Sequence, residues 1–432
     1  MLYTDITELI GDTPLLLLDK RVHGLSNVDL YAKLEFLNPF GSVKDRVAWG
    51  MIRDDLADIV ERGLTLIEAS SGNTAKALQV LAGMRGLTLE VLTNRVKVPE
   101  VRDVLDVLGS KVQELPGLSE CPDPTVPNDV FSTIESIMAA SPGAYYHASQ
   151  YTNEKNVETH YRDTGSEIFA DIGPVDFLFG GLGTTGSTRG IGTYLREKNP
   201  ALKTIGVVST KYDFIPGIRS ANELWDVGLF DRGFYEKIVA VDSADAVDGA
   251  VQLARRYGVL AGPTSGATYF AAVEHLRGEP SAERRKAVLI VCDRLEWYLS
   301  YVRKRRPEIF GLARRPSVRD LPPDVVAPEI GVDALEQLLG SGNAMLVDTR
   351  GSMAYRIGHI PGAVNIRDDR LDDMLADGVP FPPGLQVVFV CPIGEYSRRV
   401  AAFLSQQGHR AASLTGGVVA WRDAGRKLEP GA

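Results

Sequence analysis

Short apolar runs alternate with amphipathic stretches over the first 305 residues or so. The runs are Leu30 to Leu34, Leu64 to Glu68, Thr88 to Leu92, Asp176 to Phe179, Thr204 to Val208 and Val288 to Val291. Parallel strands buried on both faces read as such near-continuous apolar runs. Between them lie stretches with helical spacing. Val43, Val47 and Met51 form one apolar face, and helices are expected over Ala75 to Gly83 and Ile191 to Lys198. The alternation predicts an α/β fold with mostly parallel strands. Past Arg305 the rhythm breaks. Arg314 to Asp324 is charged and proline-rich and reads as a linker. A second α/β rhythm follows, with strands at Ala344 to Asp348 and Gln386 to Val390 and a helix at Arg398 to Gln407. The expected organisation is therefore a long domain (1–305), a linker (306–328) and a small domain (329–432).

Composition narrows the function classes. A chain of 432 residues exceeds one ordinary core. With 44% hydrophobic and 24% charged residues it is typical of globular proteins. The net charge of −9 argues against nucleic acid or an anionic membrane as the main partner. Cys121, Cys292 and Cys391 are widely spaced and odd in number, which suits a reducing compartment and no disulfide framework. The six histidines lack metal-ligand spacing, so no metal site is expected. Met1 to Asp5 is not a secretory n-region and h-region, and no apolar run approaches membrane-spanning length. A cytoplasmic protein acting on small molecules is expected. There is no internal repeat.

Four glycine- or serine-rich turns precede predicted helices. Gly180 to Ser187 follows the run Asp176 to Phe179. Strand, glycine turn and helix start aim backbone N–H groups and a positive helix end at a phosphate. The plain alternative is an ordinary turn between strand and helix. It is not a Walker loop, because no Gly-Lys-Ser/Thr follows. Asn38 to Arg46 places Ser42 as a cap and Lys44 beside the apolar stripe, where desolvation would favour a neutral, nucleophilic amine. Taken alone, Lys44 reads as a solvated lysine. Ser70 to Thr74 is a second helix start suited to a carboxylate, and equally an ordinary cap. Gly262 to Ala267 is a weak fourth.

Together and in this order, these motifs resemble the cysteine synthase and cystathionine β-synthase family, fold type II of the pyridoxal-phosphate enzymes, with two α/β subdomains. Further matching segments are Gly11 to Leu15, Gln150-Tyr151 with Asn153 and Asn156, and His160 to Ile168. The resemblance covers about residues 4–305. It implies pyridoxal 5'-phosphate as cofactor. Lys44 would carry it and move the Cα proton. Asn73 would bond its phenolic oxygen. Gly183, Thr184, Thr185, Gly186 and Ser187 would hold its phosphate, and Ser265 would face its ring nitrogen. Ser70, Ser71, Thr74 and Gln150 would bind the substrate carboxylate. A neutral Ser265 does not stabilise a protonated ring, which suits loss of a β-substituent over transamination. Ala75 and Thr185 stand where the family often has glycine. Arg219 stands where many members carry a small residue. It reads equally as a receptor for an anionic leaving group or nucleophile and as a surface arginine.

The C-terminal segment, about residues 329–428, resembles single-domain rhodaneses. The matching elements are Leu346 to Arg350, Gly358 to Ala363, Cys391 to Ser397 and Leu414 to Trp421. By itself a cysteine ending a strand reads as a small apolar residue. The resemblance implies that Cys391 carries sulfur as a persulfide, aided by a helix N-terminus. Tyr396 departs from the arginine of many active members. Asp348 and Arg350 are expected at the pocket rim and His359 in a structural role.

The two resemblances together imply β-replacement on an activated L-serine, O-acetylserine or O-phosphoserine, with sulfur supplied or processed by the small domain. The expected product is cysteine or an S-substituted cysteine. A sulfur-carrier protein is a candidate partner and a homodimer the expected assembly. The alternatives are desulfuration of cysteine onto Cys391, a diaminopropionate-type reaction with an amine nucleophile, and a small domain that only docks.

Overall fold

The computed structural model describes residues 2–93, 98–115, 130–211, 213–314, 316–322, 324–382 and 384–431. Cys121, Arg315 and Pro323 lie outside them. The chain divides into two compact units. The larger comprises residues 1–113 and 133–312, the smaller 114–132 and 313–432.

The strands of the larger unit are β1 (Leu15–Leu17), β2 (Val28–Leu34), β3 (Thr65–Ala69), β4 (Leu89–Thr93), β5 (Lys111–Glu114), β6 (Tyr145–His147), β7 (Phe177–Gly181), β8 (Lys203–Ser209), β9 (Lys237–Val241) and β10 (Arg285–Val291). They form two sheets, ordered β1-β2-β10-β7-β8-β9 and β5-β4-β3-β6. In the first, only β1 runs antiparallel. In the second, β3 pairs in parallel with β4 and β6. Each sheet has its own core. Leu30, Phe179, Leu289 and Tyr269 pack together on the first. Met51, Leu66, Leu78 and Val91 pack together on the second. Each such buried side chain contributes about 1.5–3 kcal/mol over its exposed state. The chain is thus α/β, as the apolar runs predict. The runs coincide with β2, β3, β4, β7, β8 and β10. The strands β1 and β9 lie outside those runs although they are themselves apolar (Leu15–Leu17 and Ile238 to Val241); β5 and β6 carry no comparable run.

The smaller unit holds β11 (Glu329–Ile330), β12 (Ala344–Asp348), β13 (Ala363–Asn365), β14 (Gln386–Val390) and β15 (Ala411–Leu414). The order is β11-β15-β14-β12-β13, all parallel. Alternate residues of β12 and β14 serve two cores. Val347 and Phe389 pack with Val400 and Leu404. Leu346, Val388 and Val390 pack with Leu414 and Trp421. That alternation is the two-residue period of a strand covered on both faces. Val318, from the stretch read as linker, is buried in the first of these cores, and Arg399 donates to the Leu321 carbonyl at 3.0 Å.

Candidate active site

Lys44 opens the helix Lys44–Ile52, and a buried ionic network fixes that helix start. Arg46 pairs with Glu35 and with Glu167, each at 2.7 Å. Lys33 pairs with Glu167 at 2.7 Å. Thr13 Oγ1 donates to Glu35 at 2.6 Å, and Gly11 N donates to Asn38 Oδ1 at 2.9 Å. Three motifs far apart in sequence, around Gly11, Asn38 and Ser166, therefore meet under one lysine. Burial pushes the Lys44 ammonium below the ordinary lysine range, against the opposing pull of Cys292 and Asp293. A neutral amine results more readily there than in water.

The substrate-type loop follows β3. Ser70 Oγ accepts from Gly72 N at 3.3 Å and Ala75 N at 3.1 Å. Thr74 Oγ1 donates to Gln150 Oε1 at 2.6 Å, and Gln150 Nε2 to the Ala69 carbonyl at 2.7 Å. Ser71 is exposed. The helix Asn73–Gly83 starts here, so its first N–H groups lack intrahelical partners and point a positive end outward. Asn73 Nδ2 donates to Asp293 Oδ2 at 2.6 Å, and Tyr298 OH donates to the same oxygen at 2.5 Å.

The glycine turn after β7 runs into the helix Gly186–Lys198. Its last residue, Thr185, has φ +66°, a left-handed conformation that a residue other than glycine adopts at a cost. Thr185 Oγ1 is buried, beside the Tyr235 hydroxyl, and no hydrogen bond to it is formed among the described residues. Thr184 Oγ1 accepts from Asn156 Nδ2 at 3.1 Å. A Cβ on Gly183 would stand 2.7 Å from the Gly217 carbonyl oxygen, and one on Gly186 would overlap Asn156. Ser187 is half-buried in the first turn of the helix. An orphaned hydroxyl beside the open N–H groups of a 13-residue helix fits an anionic phosphate. Ser265 Oγ, fully buried, accepts from Cys292 N at 2.9 Å. Its own proton is left to donate, which fits an unprotonated ring nitrogen.

These groups form a closed ring of contacts. Val43 N donates to the Cys292 carbonyl, Cys292 N to Ser265, and Thr264 Oγ1 to the Pro216 carbonyl. Gly217 abuts Gly183. Asn156 Nδ2 joins Thr184 to the Gln150 carbonyl. Gln150 leads to Thr74, and Asn73 returns to Asp293, which bridges to Ser42. Arg219 belongs to the same rim. Its N–H donates to the Leu182 carbonyl at 2.9 Å, and its guanidinium lies 4.9 Å from the Tyr151 ring centre. Asp293, Tyr298, Lys76 and Trp297 also line this region and were not anticipated. No local spacing marks them. The signal available was a lysine inside the otherwise apolar run Ala75 to Leu78.

In the smaller unit Cys391 follows β14 and is fully buried. Its Sγ accepts from Gly394 N at 3.2 Å, Ser397 Oγ at 3.3 Å and Ser397 N at 3.5 Å. The helix Glu395–Gln406 begins there. Such donors favour a thiolate or persulfide sulfur. The Tyr396 hydroxyl is bonded to Asp372 Oδ1 at 2.8 Å and to the Asp368 carbonyl at 3.0 Å. Asp348 and Arg350 do not form a rim. Both are buried and pair with each other at 2.7 Å, because an Arg at that depth needs its own counter-charge. His359 is buried and stacks on Tyr355 with ring centres 3.8 Å apart.

Comparison with known proteins agrees with this geometry. The family described as pyridoxal-phosphate dependent enzyme matches residues 6–293, and the rhodanese-like domain matches residues 331–424. Cysteine synthase B of Pseudomonas aeruginosa is 33% identical over 303 residues, 69% of this chain and 96% of that protein. Cystathionine beta-synthase of Apis mellifera is 32% identical over 311 residues, 68% of this chain but 60% of that longer protein. The crystal structure of cysteine synthase from Entamoeba histolytica superposes with a TM-score of 0.61 at 25% identity, covering 73% of this chain and 93% of that one. The chain belongs to the pyridoxal-phosphate dependent enzymes of the cysteine synthase and cystathionine β-synthase type. It joins that enzyme to a C-terminal rhodanese-like domain.

Proposed function

We propose that the protein replaces the β-substituent of an activated L-serine, O-acetylserine or O-phosphoserine, with a sulfur nucleophile, giving cysteine or an S-substituted cysteine. The observation that carries this reading is the Ser265–Cys292 contact. The ring-nitrogen position is served by a neutral hydroxyl already oriented by a backbone N–H, not by a carboxylate. The cofactor supplies the electron sink. Lys44, kept short of its ordinary basicity by burial, takes the Cα proton. The substrate carboxylate sits at the start of the helix Asn73–Gly83 with Ser70, Ser71, Thr74 and Gln150. Thr184, Thr185 and Ser187, with the backbone of Gly183 and Gly186, hold the phosphate. Arg219 faces the departing or incoming anion. Cys391 holds sulfane sulfur as a persulfide. Two equivalents of a thiol reductant, oxidised to the disulfide, release it as sulfide for the addition while Cys391 returns to the thiol. Its tether to the enzyme raises the local sulfur concentration.

The test is product analysis. Purified protein with cofactor is given O-acetylserine or O-phosphoserine together with sulfide or thiosulfate. Cysteine or S-sulfocysteine is expected with at least one pair. Absence of any sulfur-containing amino acid from every pair would overturn the reading.

A further inference from the structure

Tyr235 is only 3% exposed and packs against Leu182 of the glycine turn. Its ring stacks on Phe230 with centres 6.0 Å apart and meets Phe234 edge-on at 5.4 Å. The segment that carries it is stitched to the helix Gly186–Lys198. Arg189 donates to the Leu229 carbonyl at 2.9 Å, and Arg196 to the Phe234 carbonyl at 3.0 Å. The phenol therefore arrives at a fixed place, with its oxygen 2.7 Å from Thr188 Oγ1. Thr188 is fully buried, and its methyl occupies the space that a Cβ on Gly180 would need. Its hydroxyl donates its single proton to the Thr185 carbonyl at 3.0 Å. Tyr235 is then the donor in the contact between the two hydroxyls. Burial pushes the phenol up to about 12, so that proton stays in place across the neutral range.

A threonine bonded to the carbonyl three residues back is ordinary in a helix. The second bond, from a phenol 47 residues further on, is not a local device. Both bonds converge on Thr185, the residue with φ +66° whose hydroxyl makes no hydrogen bond among the described residues. We infer that Tyr235 is a positioning residue for the cofactor phosphate. Acting through Thr188, it holds the Thr185 carbonyl, and with it the left-handed backbone that keeps the Thr185 hydroxyl at the helix start, among the open N–H groups. This role rests on Gly183 to Ser187 holding the phosphate. A left-handed threonine costs free energy. Two hydrogen bonds in series on its carbonyl offset part of that cost, because each polarises the next.

The experiment strips the full-length protein of cofactor, titrates the cofactor back, and records the phosphorus resonance of the bound phosphate. Tyr235→Phe keeps the ring and its packing and removes only the hydroxyl. The dissociation constant should rise about five- to tenfold, and the phosphorus resonance should move. In Thr185→Gly no hydroxyl is left to hold, so adding Tyr235→Phe should change neither. Thr188→Val keeps the methyl over Gly180. It should reproduce the loss, and it replaces Tyr235→Phe if that variant does not fold. An unchanged dissociation constant overturns the role of Tyr235. So does an equal loss in the Thr185→Gly background, which marks a tyrosine that only supports the fold. If Thr185→Gly and Ser187→Ala themselves leave cofactor affinity unchanged, the phosphate assignment falls and this role with it. If they lower it and Tyr235→Phe does not, the role of Tyr235 falls alone.

Discussion

Asn73 and Asp293, 220 residues apart in sequence, are joined by a 2.6 Å hydrogen bond from the amide nitrogen to the carboxylate. Tyr298 bonds the same oxygen. Asp293 thereby fixes the amide proposed to meet the cofactor's phenolic oxygen. Asp293→Ala leaves an amide N–H and a phenol without their acceptor. It should cost about 2 kcal/mol of stability and weaken cofactor binding. Thermal unfolding and cofactor titration measure the two effects. An unchanged cofactor affinity would show that Asn73 is positioned by something else.

Thr185 combines a left-handed backbone with an orphaned hydroxyl. The two features predict opposite effects of Thr185→Gly. Relief of the strained backbone should raise the melting temperature of the cofactor-free protein, by about 1 kcal/mol in stability. Loss of the hydroxyl should lower cofactor affinity. An unchanged or raised cofactor affinity would show that the hydroxyl does not serve the phosphate.

Glu68 is fully buried, and its Oε2 makes no hydrogen bond among the described residues. Burial raises its carboxyl from the ordinary 4.5 to about 8, opposed by backbone donors such as Ala69 N. The folded protein therefore keeps a proton that the unfolded chain releases above about 4.5. This contribution is complete below that pH and is lost as the pH rises through about 8. The loss is on the order of 5 kcal/mol. Glu68→Gln should flatten the decline of melting temperature between those values. An unaltered pH profile would contradict the assignment.

Cys391 accepts three hydrogen bonds at the head of a helix. Cys391→Ser should reduce thiosulfate-to-cyanide sulfur transfer to background while cysteine formation from free sulfide persists. Sulfur transfer retained by the serine variant would assign the small domain a docking role instead.

Much of this architecture is legible in the residue order, for a physical reason. Central parallel strands are covered on both faces, so β3, β7, β10, β12 and β14 are written as apolar runs. The edge strands β5 and β11 have only one neighbour and no such run. The cradle is legible because it is local: strand, glycine turn and helix start lie within Phe177 to Lys198. Lys44 is legible only through the company of other motifs, since the network that seats it draws on Glu35 and Glu167. Asp293, Tyr298, Lys76 and Trp297 carry no local pattern. Their partners are set by where β3 and β10 end in space. The burial of Asp348 and Arg350 is not legible from either charge alone, because each neutralises the other two residues away.

The account stands on Lys44 as the residue that carries the cofactor. Borohydride reduction of the holoenzyme followed by peptide mass mapping tests this directly. The predicted result is a single cofactor adduct on the peptide containing Lys44, absent in Lys44→Ala. An adduct on a different lysine, or none in protein shown to contain the cofactor, would contradict it.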